Sequence, residues 1–200
     1  MPLRPSYPVR TTRLLLRPLR AEDAFDLLAY RSLSEVCRWV PFEPMDAETI
    51  AVRLRGQWAA TTLEGEGDAL TLGVEIATTG EVIGDVMLRW LSAEHSCGEV
   101  GYVFHPAFAS LGYATEAAHA VLHLAFDDLG LHRAIARIDA RNVTSTRVAA
   151  RLGMRQEAHL VENERFKGEW SDELDYGLLE REWLAQHRDG CRAPAIGQRH

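Results

Sequence analysis

The apolar positions in the first half of the chain predict one strand, then two helices, then three strands. Leu14 and Leu16 alternate with polar neighbours in an opening strand from Arg13 to Pro18. Helical spacing of apolar residues begins after Glu22-Asp23, at Ala24, Leu27 and Leu28, and again from about Ala47 to Leu63, with Asp46 as N-cap. Turn residues at Thr79-Gly80 and Ala93–Gly98 then separate three predicted strands of an antiparallel meander: Leu72–Ile76, Val82–Leu91 and Glu99–Phe104.

The second half predicts a helix, a strand and a second helix, followed by two closing strands. The long helix runs from Gly112 to about Asp128, the strand covers Ala134–Ala140, and the second helix covers Asn142–Leu152 and ends at Gly153. The remaining expected elements are strands over Arg155–Glu162 and Ser171–Leu179, a helical turn at Glu180–Trp183 and a flexible tail at 188–200. This order predicts a mixed α/β sheet in which the helix after residue 112 joins parallel neighbours.

Length and composition favour one globular domain over residues 1–200, with a core at about 10–185. The formal charge of −7 argues against non-specific binding to nucleic acid and suits a cationic partner such as an amine. No apolar run reaches the ~18 residues of a membrane span, and the start of the chain has no signal-peptide core. Three scattered cysteines without a Cys-x-x-Cys pair indicate reduced thiols and predict a cytoplasmic protein.

The stretch Phe104-His-Pro-Ala-Phe-Ala-Ser-Leu-Gly-Tyr-Ala-Thr-Glu-Ala117 is the strongest functional signal. A strand ends before Pro106, small residues follow, and a helix begins at Gly112. Small residues let a ligand approach the backbone, and a helix start offers unpaired N–H groups and partial positive charge. The segment is therefore a candidate seat for a phosphate. Many such loops bind nothing, and this one has neither a Walker lysine nor a Gly-x-Gly-x-x-Gly pattern.

Other polar clusters have a simpler structural explanation. His119 and His123 have the spacing of a helical zinc pair, but with Glu116 and Asp127 they form one polar stripe, so a solvated helix face is expected and no metal. A Gly-x-Ser-x-Gly nucleophile motif is absent.

Two short segments have both a structural and a functional interpretation. Either Asn142 or Ser145 caps the second-half helix, which would leave the other free to face a ligand. The aromatic connection Trp39-Val40-Pro41-Phe42 either plugs an edge of the core or lines a substrate mouth.

Taken together, these segments resemble the GNAT family of acyl-CoA-dependent N-acetyltransferases, in its RimJ/RimL branch of ribosomal-protein N-terminal acetyltransferases. The resemblance covers roughly residues 10–185 in order. It is carried by Thr12-Arg-Leu-Leu-Leu-Arg-Pro18, Val100-Gly-Tyr-Val-Phe-His-Pro106, Gly112-Tyr-Ala-Thr-Glu-Ala117, Asn142-Val-Thr-Ser-Thr-Arg-Val148, Arg151-Leu-Gly-Met154 and the segment from Lys167-Gly168 through Trp183. It implies a GNAT fold: a mostly antiparallel sheet of about seven strands, flanked by helices, whose splayed parallel pair forms the acetyl-CoA cleft.

The resemblance also implies roles for individual residues. The diphosphate of CoA would bind backbone N–H groups of Ser110, Leu111, Gly112, Tyr113, Ala114 and Thr115. The pantetheine arm would pair with Tyr102, Val103 and Phe104, and Asn142 would hold the cofactor from the next strand. Glu164 is the first candidate for the base and Glu99 the second, and Ser145 would protonate the leaving thiolate. Trp39, Phe42 and the 162–170 segment would shape the acceptor pocket.

Two departures from the family pattern bear on these expectations. The loop carries Ala109 where relatives usually have Arg or Gln, Ser110 where they often have Gly, and Leu111 in place of a frequent basic residue. Phosphate binding is therefore expected to rest on backbone groups with no cation nearby. Ala149 stands where many relatives carry a tyrosine acid, which leaves Ser145 alone in that role.

The resulting prediction is an acetyl-CoA-dependent N-acetyltransferase without a metal. Its acceptor would be a primary amine on a protein N-terminus, a polyamine, an antibiotic or a small metabolite. The alternatives are a GNAT-fold protein that binds acyl-CoA without turnover, and an interaction protein without a cofactor. Pairing into a homodimer is left open.

Overall fold

The computed structural model describes residues 2–189, and one sheet of eight strands runs through this part of the chain. The strands are β1 (Val9–Arg10), β2 (Leu14–Pro18), β3 (Ala69–Ile76), β4 (Val82–Ser92), β5 (Cys97–Phe104), β6 (Arg133–Asp139), β7 (Arg155–Phe166) and β8 (Glu169–Leu179). The helices are α1 (Ala24–Arg31), α2 (Ser34–Cys37), α3 (Ala47–Arg55), α4 (Tyr113–His123), α5 (Val143–Arg151) and α6 (Glu180–Asp189).

The strand order is β1-β2-β3-β4-β5-β6-β8-β7, and every neighbouring pair is antiparallel except β5 with β6. This confirms the predicted mixed α/β fold with one parallel pair. The additional strand is β1, two residues that pair with β2. The parallel pair is joined by α4, as the crossover rule requires.

Two hydrophobic clusters cover the two faces of the sheet. Val100 and Tyr102 of β5 pack into the larger cluster, beneath α4 and α5, whereas Val103 packs into the smaller one with α1 and α3. Consecutive strand residues point to opposite faces, so one strand serves both clusters. Each fully buried large apolar side chain contributes about 1.5–3 kcal/mol to stability.

The helix predicted over Ala47–Leu63 is wrong at its C-terminal end, because α3 stops at Arg55. Gly56 ends it, and the Trp58 amide donates to the Arg53 carbonyl at 2.8 Å instead of continuing the helix. Leu63, which the helical spacing had included, is fully buried in an isolated bridge to Leu3.

The C-terminal elements extend beyond their predicted bounds. α4 continues as a π-helical turn over Leu124–Asp128, which gives the length that the sequence predicted. β7 runs on to Phe166, and α6 continues to Asp189, so the predicted tail at 188–200 begins too early. The rest of that tail lies outside the described residues. None of the helices in residues 2–189 is long and apolar enough to cross a membrane.

Candidate active site

β5 and β6 lie side by side at only one end, and a cleft opens in the sheet where they part. Their parallel ladder joins residues 97–99 to residues 133–135 and stops there. A cavity of about 340 Å³ occupies the gap and is bordered by residues 99–103 of β5 and 136–139 of β6. Because β5 pairs with β4 on one side but has no partner on its β6 side after Glu99, an extended ligand can add to this open edge as a strand would.

The loop from β5 to α4 turns the start of this helix toward the same region. A one-turn 3₁₀ helix at Pro106–Phe108 is followed by Ser110 with φ 64° and Gly112 with φ 83°. Gly112 is the N-cap of α4, and glycine adopts this left-handed conformation without steric cost. The first amides of α4 have no acceptor within the helix, so they present donors and partial positive charge where the sequence predicted an anion seat.

Two arginines lie beside this helix start, so the expectation that phosphate binding would have no cation nearby is wrong. An Nη of Arg13, on the segment before β2, donates to the Leu111 carbonyl at 2.9 Å, and its guanidinium pairs with Glu116 at 2.7 Å. Arg151, at the end of α5, donates from Nε to the Thr115 hydroxyl at 3.1 Å. Both arginines come from outside the loop, where a local motif does not reveal them.

The start of α5 distinguishes the roles of its two polar residues. The Oδ1 atom of Asn142 accepts a hydrogen bond from the Ser145 amide at 3.1 Å, so Asn142 is the helix cap. Both residues border the cleft. From the opposite wall, the Tyr102 hydroxyl donates to the Ser145 carbonyl at 3.5 Å. Burial raises the pKa of Tyr102, so the phenol is neutral at pH 7.

The wall of the cleft nearest α1 and α3 is aromatic and rests on a buried ion pair. Trp39, Phe42 and Trp58 all border the cleft. Behind them the Arg31 guanidinium contacts the Asp85 carboxylate at 2.5 Å, with both side chains at most 5% exposed. The same guanidinium lies 4.7 Å from the centre of the Phe42 ring and 4.8 Å from that of Trp58. The aromatic connection therefore lies at the cleft, while its contact with substrate stays a prediction.

The two candidate bases lie in different places. Glu99 borders the cleft, whereas Glu164 is exposed on β7, opposite Ser171, and does not border it. A third carboxylate, Glu173 on β8, was missed by the sequence argument. Burial raises its pKa, and the negative charges of Asp175, Glu164 and Glu99 act in the same direction. The alternation of acidic residues along β8 was the available signal, since it places Glu173 and Asp175 on one face.

The predicted cofactor residues divide between the cleft and the loop beyond it. Tyr102, Val103 and Asn142 border the cleft. Phe104 is the last residue of β5, and residues 110–115 form the loop and the first turn of α4. The edge of β5 connects these two parts of the candidate site.

Trp183 of α6 packs against the histidine stripe on α4, so His119 is half-buried, whereas His123 and Asp127 are exposed as predicted. The ring centres of His119 and Trp183 are 4.9 Å apart, and His123 contacts Asp127 at 2.6 Å. Within residues 2–189, no group of three or more His, Cys, Asp or Glu side chains is arranged to hold a metal ion.

Comparison with known proteins gives a match over most of the chain. Residues 13–155 match the sequence profile described as "Acetyltransferase (GNAT) domain". The chain is 32% identical over 178 residues to the uncharacterized N-acetyltransferase YnaD of Bacillus subtilis (strain 168), covering 88% of this chain and 98% of the relative. It is 25% identical over 171 residues to the putative ribosomal N-acetyltransferase YdaF of the same strain, covering 84% of this chain and 91% of the relative.

Among solved structures, a GNAT-family acetyltransferase from Bacillus anthracis superposes with a TM-score of 0.78. The two chains are 29% identical, and the alignment covers 86% of this chain and 98% of the other. The similarity thus extends over most of the fold.

Proposed function

This chain belongs to the GNAT acetyltransferase family, and on that premise we propose that it transfers the acetyl group of acetyl-CoA to a primary amine by direct attack. One observation carries the proposal: β5 has no partner on its β6 side after Glu99, and residues 105–112 lead from the end of β5 directly to the start of α4. The edge suits an extended pantetheine arm, and the helix start suits a diphosphate.

In the proposed complex, the amides of residues 110–115 receive the diphosphate and main-chain groups of Tyr102–Phe104 pair with the pantetheine arm. Arg151 adds positive charge, since it makes no ion pair with another described residue, whereas Arg13 is engaged by Glu116. Asn142 contacts the cofactor at the edge of the cleft while its Oδ1 atom caps α5.

In the proposed chemistry, Glu99 removes a proton from the acceptor ammonium, directly or through one water, and the free amine attacks the thioester carbonyl. The C–N bond forms and the C–S bond breaks, while a backbone N–H of β5 stabilises the oxyanion. General-base catalysis contributes about 10²–10⁴-fold and an oxyanion donor about 10²–10³-fold. Ser145 gives its hydroxyl proton to the departing thiolate and receives in return, directly or through a water, the proton that the nitrogen loses as the amide forms. A thiol with a pKa of about 8.5 leaves with little help, so this proton transfer matters less. Glu164 is the second candidate base because it lies outside the cleft.

The acceptor is proposed to enter past Trp39 and Phe42. Candidates are a protein N-terminus, a polyamine, an antibiotic and a small amine metabolite. The name of YdaF, a putative ribosomal N-acetyltransferase, favours a ribosomal-protein N-terminus and membership of the RimJ/RimL branch.

The first test is acetyl-CoA binding measured by thermal unfolding, because ligand at ~100 times its Kd adds about 2.7 kcal/mol of stability. Release of free thiol is then followed with a panel of amines that includes spermidine and peptides beginning with Ser or Ala. Glu99→Gln should lower kcat at least about 10²-fold, with Glu164→Gln as its matched control. The absence of a thermal shift with acetyl-CoA would contradict the proposal. A loss of kcat in Glu164→Gln but not in Glu99→Gln would make Glu164 the base.

A second candidate function is binding of acyl-CoA without turnover. Ala149 borders the cleft and is almost fully buried, so α5 offers no acidic hydroxyl one turn after Ser145. A thermal shift with acetyl-CoA but no thiol release on any amine would favour this function.

We further propose a cytoplasmic location, supported by the free thiols of Cys37 and Cys97. A homodimer stays a prediction that sedimentation of the purified protein tests.

A further inference from the structure

The turn between β7 and β8 contacts the segment that leads from α2 toward α3, about 130 residues earlier in the chain. The Nζ atom of Lys167 donates to the Cys37 carbonyl at 2.7 Å and to the Phe42 carbonyl at 3.0 Å. It also lies 3.5 Å from an Oε atom of Glu43. An ammonium group has three N–H donors, and three oxygens surround this one.

These two carbonyls are the ends of a short segment, residues 37–42, that we call the acceptor segment. Four consecutive residues within it, 39–42, border the cleft. A single side chain from the other half of the chain thus holds both ends of the segment. Charge-assisted hydrogen bonds of this kind are about twice as strong as neutral ones.

The middle of the acceptor segment is held by a second contact from the C-terminal half. Two guanidinium groups contact the Trp39 ring, with Arg38 4.5 Å and Arg141 5.0 Å from its centre. Arg141 is bonded in turn to the Asp139 carboxylate at the end of β6, at 2.7 and 2.9 Å. The segment is therefore attached to both the β7–β8 turn and the far wall of the cleft.

We propose that Lys167 is a positioning residue that holds the acceptor segment, and with it Trp39 and Phe42, in place over the acceptor side of the cleft. This inference rests on the proposed function and extends it by naming the residue that fixes the acceptor segment. The start of α4, where the cofactor diphosphate would bind, is made by other residues and does not depend on Lys167. Loss of the ammonium group should therefore weaken acceptor binding and leave acetyl-CoA binding unchanged.

The kinetic test compares Lys167→Met with Lys167→Arg and with Arg165→Met, which removes a cation two residues earlier on β7. For the best amine of the panel, we expect Lys167→Met to raise the acceptor KM about tenfold, the effect of losing a charge-assisted hydrogen bond. The kcat value and the Kd of acetyl-CoA should stay within about twofold of wild type. Lys167→Arg, which keeps charge and donors, should restore most of the affinity, and Arg165→Met should resemble wild type.

A second test needs no acceptor, because the Cys37 thiol lies fully buried within the acceptor segment. N-ethylmaleimide labelling, mapped by mass spectrometry, reports when this thiol becomes accessible. Burial raises the pKa of Cys37 and the Lys167 charge lowers it, so removing that charge by itself slows labelling. Faster labelling of Cys37 in Lys167→Met therefore reports greater accessibility and not greater thiol reactivity, and it reports opening of the segment when Cys97 labelling is unchanged. Cys97 on β5 serves as the internal reference.

We expect Cys37 labelling to accelerate about tenfold in Lys167→Met while Cys97 labelling stays constant. Equal acceleration at both thiols means general destabilisation and contradicts the proposal, as does unchanged Cys37 labelling or an unchanged acceptor KM. A wild-type protein that binds acetyl-CoA but acetylates no amine contradicts the proposed function alone, and the labelling result then decides whether Lys167 fixes the segment.

Discussion

The two parts of the candidate site are built in different ways. The part proposed to bind the cofactor, here called the cofactor end, consists of the β5–α4 loop and the first turn of α4 and comes mostly from one uninterrupted stretch, residues 104–117. The acceptor end combines α1, the acceptor segment, β4 and the β7–β8 turn, with contacts between residues up to 130 positions apart. Local geometry specifies the first end, whereas tertiary packing specifies the second.

The difference extends to the chemistry of each end. Backbone amides at a helix start serve the cofactor end, and most side-chain substitutions leave these donors in place. The acceptor end depends on charged side chains, the buried Arg31–Asp85 pair and the Lys167 ammonium, each with specific partners. Side-chain substitutions should therefore change stability more at the acceptor end than at the cofactor end.

The largest effect is expected when the buried pair is broken on one side. Asp85→Asn leaves the Arg31 guanidinium buried without its counter-charge and should cost about 3–5 kcal/mol of unfolding free energy, measured by urea titration. Glu64→Gln breaks the exposed Arg4–Glu64 pair and should cause no measurable loss.

A double replacement refines this prediction. Arg31→Met with Asp85→Leu removes both charges and should recover most of the lost stability, because apolar groups of similar volume often replace a buried pair without cost. If the double variant is as unstable as Asp85→Asn, packing of the aromatic wall against the guanidinium is the larger contribution.

The next effect concerns the backbone of the cofactor end. Gly112→Ala places a Cβ at φ 83° and should cost about 1–2 kcal/mol of stability. By shifting the start of α4, it should also raise the Kd of acetyl-CoA about tenfold, measured by calorimetry. Gly130→Ala is the matched control, since Gly130 has φ 72° and open space around it. The control should lose similar stability and keep its affinity; equal affinity in both variants would place the diphosphate elsewhere.

A smaller effect is expected from the one cation that we assign to cofactor binding. Arg151→Gln should raise the Kd of acetyl-CoA about three- to tenfold and reduce its salt dependence, because a charged partner is lost at the start of α4. Arg147→Gln removes an exposed charge from the same helix and should leave the Kd unchanged. Should both variants bind alike, the cofactor end relies on backbone groups alone.

The sequence predicted most of the fold, because strand and helix periodicity is a local property. It also placed the α4 start and the polar residues of α5 correctly, since caps and left-handed glycines act within a few residues of their own position. The end of α3 was wrong because Leu63 fits helical spacing yet is buried against Leu3, a contact 60 residues away that local pattern does not reveal.

Contacts between distant parts of the chain share the same cause. Arg13 was missed because it lies about 100 residues before the loop that it contacts. The segment 162–170 was expected to shape the acceptor pocket, but the local pattern does not reveal that its Lys167 contacts the acceptor segment. Glu99 and Glu164 were ranked without knowing which one borders the cleft. These contacts and positions depend on the order in which the strands lie in the sheet, which the local sequence pattern does not reveal.

The smallest predicted effect tests whether repulsion between Glu173 and the carboxylates around it lowers the stability of the protein. Burial and nearby carboxylates raise the pKa of Glu173, so folding favours its protonated form. Stability should therefore fall as pH rises from the unfolded pKa of Glu173 through its higher folded value. Glu173→Gln is expected to stabilise the protein by a few tenths of a kcal/mol at pH 7, because the group is partly exposed and its interactions are screened. The gain should vanish below about pH 4, where the wild-type carboxyl is protonated in both states.

Glu169→Gln, at the exposed start of β8, is the control and should bring no gain in stability at either pH. If Glu173→Gln destabilises the protein at pH 7, the hydrogen bond that Asn163 donates to this carboxylate outweighs the repulsion around it.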